Sequence, residues 1–132
     1  MLVPILGSIA LGLVKGLTSD GPALTPNLKT DLWGPINEEL LYRGPLWLFP
    51  KLPYGSTAVL FAADHLLDDA RAVAVDGDVP TAWEVVARFG DVFLGGWAYE
   101  VAMRESGILA AIAAHLGHNN ALSIGTRLRS KK

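Results

Sequence analysis

Apolar residues run through this chain in five long blocks separated by short polar or Pro/Gly-rich breaks, with no convincing strand pattern. The first block, residues 1–17, is interrupted only by Ser8 and Lys15 and carries small residues at Gly7, Ala10, Gly12 and Gly16. Its lysine comes late, whereas a secretory signal puts basic residues before the apolar core. A first apolar span is expected instead, at the short limit for crossing about 30 Å of hydrocarbon. Residues 18–29 hold Gly21, Pro22 and Pro26 and read as a loop. Thr30 or Asp31 is positioned to cap a second helix, expected over about Leu32 to Phe49. Within it Pro35 suits a first turn, while Pro45 lacks an N–H and predicts a bend at Gly44-Pro45.

After a turn over residues 50–53, a third helix is expected from about Gly55 through His65 towards Leu67. Its later part, Asp64 to Arg71, holds too many charges to face lipid. Asp76-Gly77-Asp78-Val79-Pro80 marks a turn, and Thr81 caps a fourth helix from Ala82 to about Met103. Glu105-Ser106-Gly107 breaks it before a fifth helix, Ile108 to about Ile124. The pattern predicts one all-α domain over residues 1–132, with no internal repeat. It is a bundle of about five mostly apolar helices, expected to be transmembrane.

Composition sharpens this. Of 132 residues, 51% are hydrophobic and 18% charged, with a mean hydropathy of +0.33, against roughly 45–50% and about 25% in an ordinary soluble domain. The balance leans towards a membrane, and a water-soluble version of the same bundle is the open alternative. The absence of cysteine rules out disulfides, thiolate zinc sites and a cysteine nucleophile. The formal net charge of −2 hides a basic end, Arg127, Arg129, Lys131 and Lys132, on a distinctly acidic remainder. That distribution argues against a nucleic-acid face. A basic cluster after an apolar run has the form of a cytoplasmic membrane flank, so a multi-pass protein with the lipid bilayer as partner and residues 127–132 cytoplasmic is expected.

The candidate chemistry lies mid-helix. In Ile36-Asn37-Glu38-Glu39-Leu40-Leu41-Tyr42-Arg43, Glu39 and Arg43 are one helical turn apart and can pair, while Glu38 points about 100° away. Alone, such a pair is an ordinary helix feature worth a few tenths of a kcal/mol at most. Phe61 stands one turn before His65, and His115 one turn before Asn119. Three helices thus bring polar groups into apolar surroundings, where each costs a few kcal/mol unless it finds a partner or water. Convergence on a central polar cavity is expected.

The order Glu-Glu-x-x-x-Arg (Glu38 to Arg43), Phe-x-x-x-His (Phe61 to His65) and His-x-x-x-Asn (His115 to Asn119) resembles the CPBP family. These are the CAAX-prenyl-protease and bacteriocin-processing intramembrane endopeptidases, also called Abi. The run from Phe93 to Glu100, followed by Ser106-Gly107-Ile108-Leu109, is similar to the family's approach to its last motif, and the likeness covers about residues 33–123. The resemblance implies a metal-independent glutamic protease without cofactor, acting on a membrane-anchored peptide or prenylated protein. By motif position Glu38 and His65 would activate a water, and His115 with Asn119 would hold the oxyanion. Glu39, Arg43 and Phe61 would support them. With at most five spans, the chain would be a short or trimmed member. Two other functions stay open: a zinc hydrolase using His65, His115 and a glutamate, and a non-catalytic membrane scaffold that keeps the motifs as a structural network.

Overall fold

The computed structural model describes residues 2–19, 22–25, 27–76 and 79–131, the side chains of Thr30 and residues 72–76 excepted. It is helical, with no strand among the described residues. The order is α1 (Leu2–Thr18), a π-helical turn (Lys29–Trp33), α2 (Gly34–Arg43), α3 (Pro45–Leu48), α4 (Ser56–Asp76), α5 (Ala82–Ser106) and α6 (Ile108–Arg129).

Local chemistry sets most boundaries. Pro45 cannot donate to the preceding turn, so the helix stops at Gly44 and restarts as α3 with proline in its first turn. Thr81 caps α5 reciprocally with Glu84: its hydroxyl accepts from the Glu84 N–H at 3.3 Å and its own N–H donates to the Glu84 carboxylate at 2.7 Å. The expected Asp31 cap is not made. Its carboxylate turns back to the Asn27 N–H at 2.7 Å, and α2 is entered through the π-helical turn instead. A cap by the Thr30 side chain, and the turn at Gly77 and Asp78, lie outside the described residues.

Two helices outrun expectation. α4 continues well past Leu67 because its charged face is open and paired, Arg71 with Asp68 at 2.7 Å and Asp69 with Arg88 of α5 at 3.0 Å. α6 runs through Arg127 and Arg129, whose charges suit a helix C-terminus. Lys132, the end of the expected basic tail, lies outside the described residues.

α1 lies on α6 almost backbone to backbone, with Ser8, Gly12 and Gly16 buried along its inner face. A Cβ on Gly12 would stand 2.3 Å from the His118 carbonyl oxygen, so no larger residue fits without moving a helix. The interior is correspondingly unusual. The largest fully buried side chains are Arg43, Glu39, Glu100, Thr57, Pro35 and Ser8, and the apolar core is mostly alanine around Leu46, Phe61, Tyr99 and Met103. Trp33, Leu41, Trp47, Leu48, Leu60 and Trp83 are exposed. Even so, no described helix is long and apolar enough to cross a membrane. α1, the most apolar, has 17 residues, about 26 Å at 1.5 Å each. The expectation of spanning helices therefore gains no support from the described helices.

Buried polar groups need partners, and Glu100 of α5 has a full set. Its carboxylate accepts from the backbone N–H groups of Gly55, Thr57 and Ala58 at 3.0, 3.1 and 3.2 Å and from the Thr57 hydroxyl at 2.7 Å. These bonds cap the start of α4 from another helix. Arg104, one turn along α5, closes on Glu100 at 2.8 Å and donates to the Leu52 carbonyl at 2.8 Å. Burial alone would raise the Glu100 carboxyl; the Thr57, Arg104 and backbone bonds outweigh it and hold it below its ordinary value.

Candidate active site

α2 supplies two neighbouring carboxylates with different surroundings. Glu39 and Arg43 are both fully buried, with Oε2 3.3 Å from Nε. Neither of these two atoms has a hydrogen-bond partner, so the contact is between charges. Arg43 also donates to the Gly96 carbonyl at 2.8 Å and stands 5.3 Å from the centre of the Phe61 ring. A glycine is required there, since a Cβ on Gly96 would come within 2.9 Å of that ring. Burial lowers the pKa of Arg43, and Glu39 and then Glu100 oppose the shift. Glu38, 35% exposed, faces an open cavity of about 480 Å³.

Two histidines turn the same edge towards Glu38. On α4, His65 Nδ1 bonds the Phe61 carbonyl at 2.9 Å; a carbonyl only accepts, so Nδ1 carries the proton. His65 Nε2 is left 4.0 Å from Glu38 Oε2. On α6, His115 Nδ1 bonds Glu39 Oε1 at 2.9 Å, and its Nε2 stands 3.8 Å from the same Glu38 oxygen. Glu39 thus serves Arg43 with one oxygen and His115 with the other. Tyr99 of α5 stacks on the His115 ring with centroids 4.4 Å apart and planes 14° apart. Burial raises the Tyr99 pKa. Phe61 packs against both imidazoles, at 4.3 Å from His65 and 5.7 Å from His115. Asn119, one turn beyond His115, lines the same cavity.

Glu38, Phe61, His65, His115 and Asn119 therefore share one cavity wall, and Glu39 and Arg43 stand behind it. Sequence reasoning missed three contributors. Tyr99 holds the face of His115. Glu100 fixes the start of α4, which carries His65. His118 bonds the Ser8 carbonyl through Nδ1 at 3.1 Å, tying α6 to α1. Burial, and then Lys15, lower the pKa of His118. The signal for Tyr99 and Glu100 was their place one turn after Gly95-Gly96, where small residues let helices approach. Among the described residues, no three or more His, Asp or Glu side chains are grouped to hold a metal ion. The spacing of 3.8–4.0 Å is wider than the about 3.3 Å between donors around tetrahedral zinc.

A family model described as type II CAAX prenyl endopeptidase, Rce1-like, matches residues 28–121. The chain belongs to this family. The match takes in Glu38, His65, His115 and Asn119 together, and it agrees with the resemblance to CPBP endopeptidases carried by the three motifs. No curated protein and no solved structure matches the chain. Within this Rce1-like protease family, Glu39, Arg43 and Tyr99 also fall inside the matched segment, whereas α1, with Ser8 and Lys15, lies outside it.

Proposed function

We propose that this Rce1-like chain hydrolyses a peptide bond of a membrane-anchored or prenylated CAAX substrate, using a water activated by Glu38 and His65. The observation that carries the reading is the meeting of two imidazole Nε2 atoms at one carboxylate oxygen. Gaps of 3.8 and 4.0 Å suit a bridging water, whose two hydrogen bonds of about 2.8 Å would meet at roughly a right angle. Glu38 takes the proton of that water and the oxygen adds to the scissile carbonyl. The oxyanion accepts from the Asn119 amide N–H and from Nε2 of His115 when that ring is doubly protonated. Collapse of the intermediate breaks the C–N bond, and the proton returns from Glu38 to the departing amine.

The two histidines differ in what stands behind them. His65 is backed by a neutral carbonyl, which favours Nε2 as an acceptor facing water. His115 is backed by the Glu39 carboxylate, which holds Nδ1 and so aims Nε2 at the cavity. Glu39 is accordingly a positioning residue, and Arg43 fixes Glu39. Leu40 and Leu41 of α2 and Val59 and Leu60 of α4 are exposed apolar side chains, which suits a lipid surface or a prenyl chain.

The test is incubation of the purified chain with a prenylated CAAX peptide and its unprenylated counterpart, read by mass spectrometry with and without chelator. Cleavage of the prenylated peptide that survives chelation is expected. No cleavage of either peptide, or activity lost to the chelator and restored by zinc, would end the proposal.

A further inference from the structure

The rim of the cavity carries charges that the hydrolytic centre does not use. Lys15 of α1 pairs with Asp91 of α5, and Arg88 reaches Asp69 of α4 at 3.0 Å while standing 3.9 Å from Asp91. Those contacts occupy the rim's carboxylates. Lys29, on the π-helical turn, lines the same cavity and is exposed. Its ammonium has no hydrogen bond or ion pair among the described residues. Of the cations lining this cavity, Lys15 and Arg88 are taken up by Asp91 and Asp69, and Lys29 is left without a carboxylate partner among the described residues. An ammonium without a carboxylate partner in a concave site is placed to receive an anionic ligand. Lys29 is also close to the chemistry. A Cβ on Gly34 would lie 3.2 Å from the Lys29 carbonyl and 3.7 Å from Glu38 Oε1, so a glycine-sized gap separates that backbone from the carboxylate. π-helical turns recur at functional sites, and this one holds the lysine at the cavity.

We infer that Lys29 binds the free terminal carboxylate of the peptide substrate. The inference rests on the protease reading and adds to it the end of the substrate that is recognised. A CAAX segment ends in a carboxylate three residues after its cysteine. Three residues span at most about 10 Å, comparable with the width of a cavity of about 480 Å³. A substrate whose scissile bond lies over Glu38 can therefore reach Lys29 with its end.

The experiment measures binding by fluorescence anisotropy. It uses two CAAX peptides with the backbone amides made non-hydrolysable, one ending in a free acid and one in an amide. Wild type is expected to bind the acid about fivefold more tightly at low salt, the scale of one exposed ion pair, with the ratio shrinking as salt rises. Lys29→Gln should bring the ratio to about one, Lys29→Glu should invert it, and Lys29→Arg should keep it. Lys51→Gln, on the distant loop after α3, should leave it as in wild type. Equal binding of acid and amide by wild type, a preference that survives Lys29→Gln, or no binding of either peptide would overturn the inference. Hydrolysis of a natural peptide is scored separately. A carboxylate preference without turnover would remove the protease reading while leaving Lys29 as an anion-binding residue.

Discussion

Glu39→Gln is the most informative single change in the buried network. It preserves side-chain volume and removes one charge from a pair with both members fully buried, so solvent screening does not soften the effect. Removing one partner of a buried ion pair costs about 3–5 kcal/mol, because the other charge is left uncompensated. Arg43 would retain the Gly96 carbonyl at 2.8 Å and the Phe61 ring at 5.3 Å, and its contact with Glu39 is not a hydrogen bond. These place the expected loss at the lower end, about 3 kcal/mol. A second effect adds to it. Glu39 sets one oxygen against the Arg43 guanidinium and bonds the His115 Nδ1 with the other, whereas a glutamine has one carbonyl, so its NH₂ must face either the guanidinium or the His115 Nδ1–H. Urea unfolding followed by tryptophan fluorescence reads the stability, in a cycle with Arg43→Met. The double variant should recover about 2 kcal/mol relative to the sum of the singles, since no buried charge is then left alone. A loss below about 1 kcal/mol for Glu39→Gln, or strict additivity, would refute the reasoning.

Further outcomes are expected. His118 has a lowered pKa, so the unfolded chain takes up a proton more readily than the native one; thermal stability should be flat well above the ordinary 6.5 and fall as the pH drops through it. Glu100, also lowered, contributes stability above its ordinary 4.5 that is lost as the pH falls through its folded value; melts from pH 8 to 3 would show no acid-side loss if both assignments were wrong. Gly12→Ala puts a methyl 2.3 Å from the His118 carbonyl and should cost about 1–3 kcal/mol, whereas Gly7→Ala, with nothing within 4 Å, should be neutral or slightly stabilising; equal melts for the two would contradict the α1–α6 packing. Asn119→Ala should slow peptide hydrolysis about 10²- to 10³-fold with an unchanged melting temperature, and a large stability loss instead would make the amide structural.

What could be read from the sequence were relations within one or two helical turns. The spacing of Glu39 and Arg43, the divergence of Glu38, the break at Gly44-Pro45 and the Thr81 cap all follow from 3.6 residues per turn and from proline and threonine chemistry. The helical class and the order of the motif-bearing helices followed from the apolar blocks. Relations between distant segments were not legible. Nothing local shows that Glu39 divides its oxygens between Arg43 and a histidine 76 positions away. Nor does it show that Glu100 caps a helix whose first residue lies 44 positions earlier in the chain. The end of α4 was misjudged because charges on a helix expected in lipid signal its exit, whereas here they pair at the surface. Asp31 fits the cap pattern, but a bond back to Asn27 claims it first.

The central claim is that the Glu38 carboxylate removes a proton from the attacking water. It is tested most directly by kcat for a prenylated CAAX peptide in Glu38→Gln, with folding checked by the same urea unfolding followed by tryptophan fluorescence. Glu38 is 35% exposed, so the fold should persist, while kcat should fall about 10²- to 10⁴-fold. Turnover within a factor of two of wild type by a folded Glu38→Gln protein would contradict it.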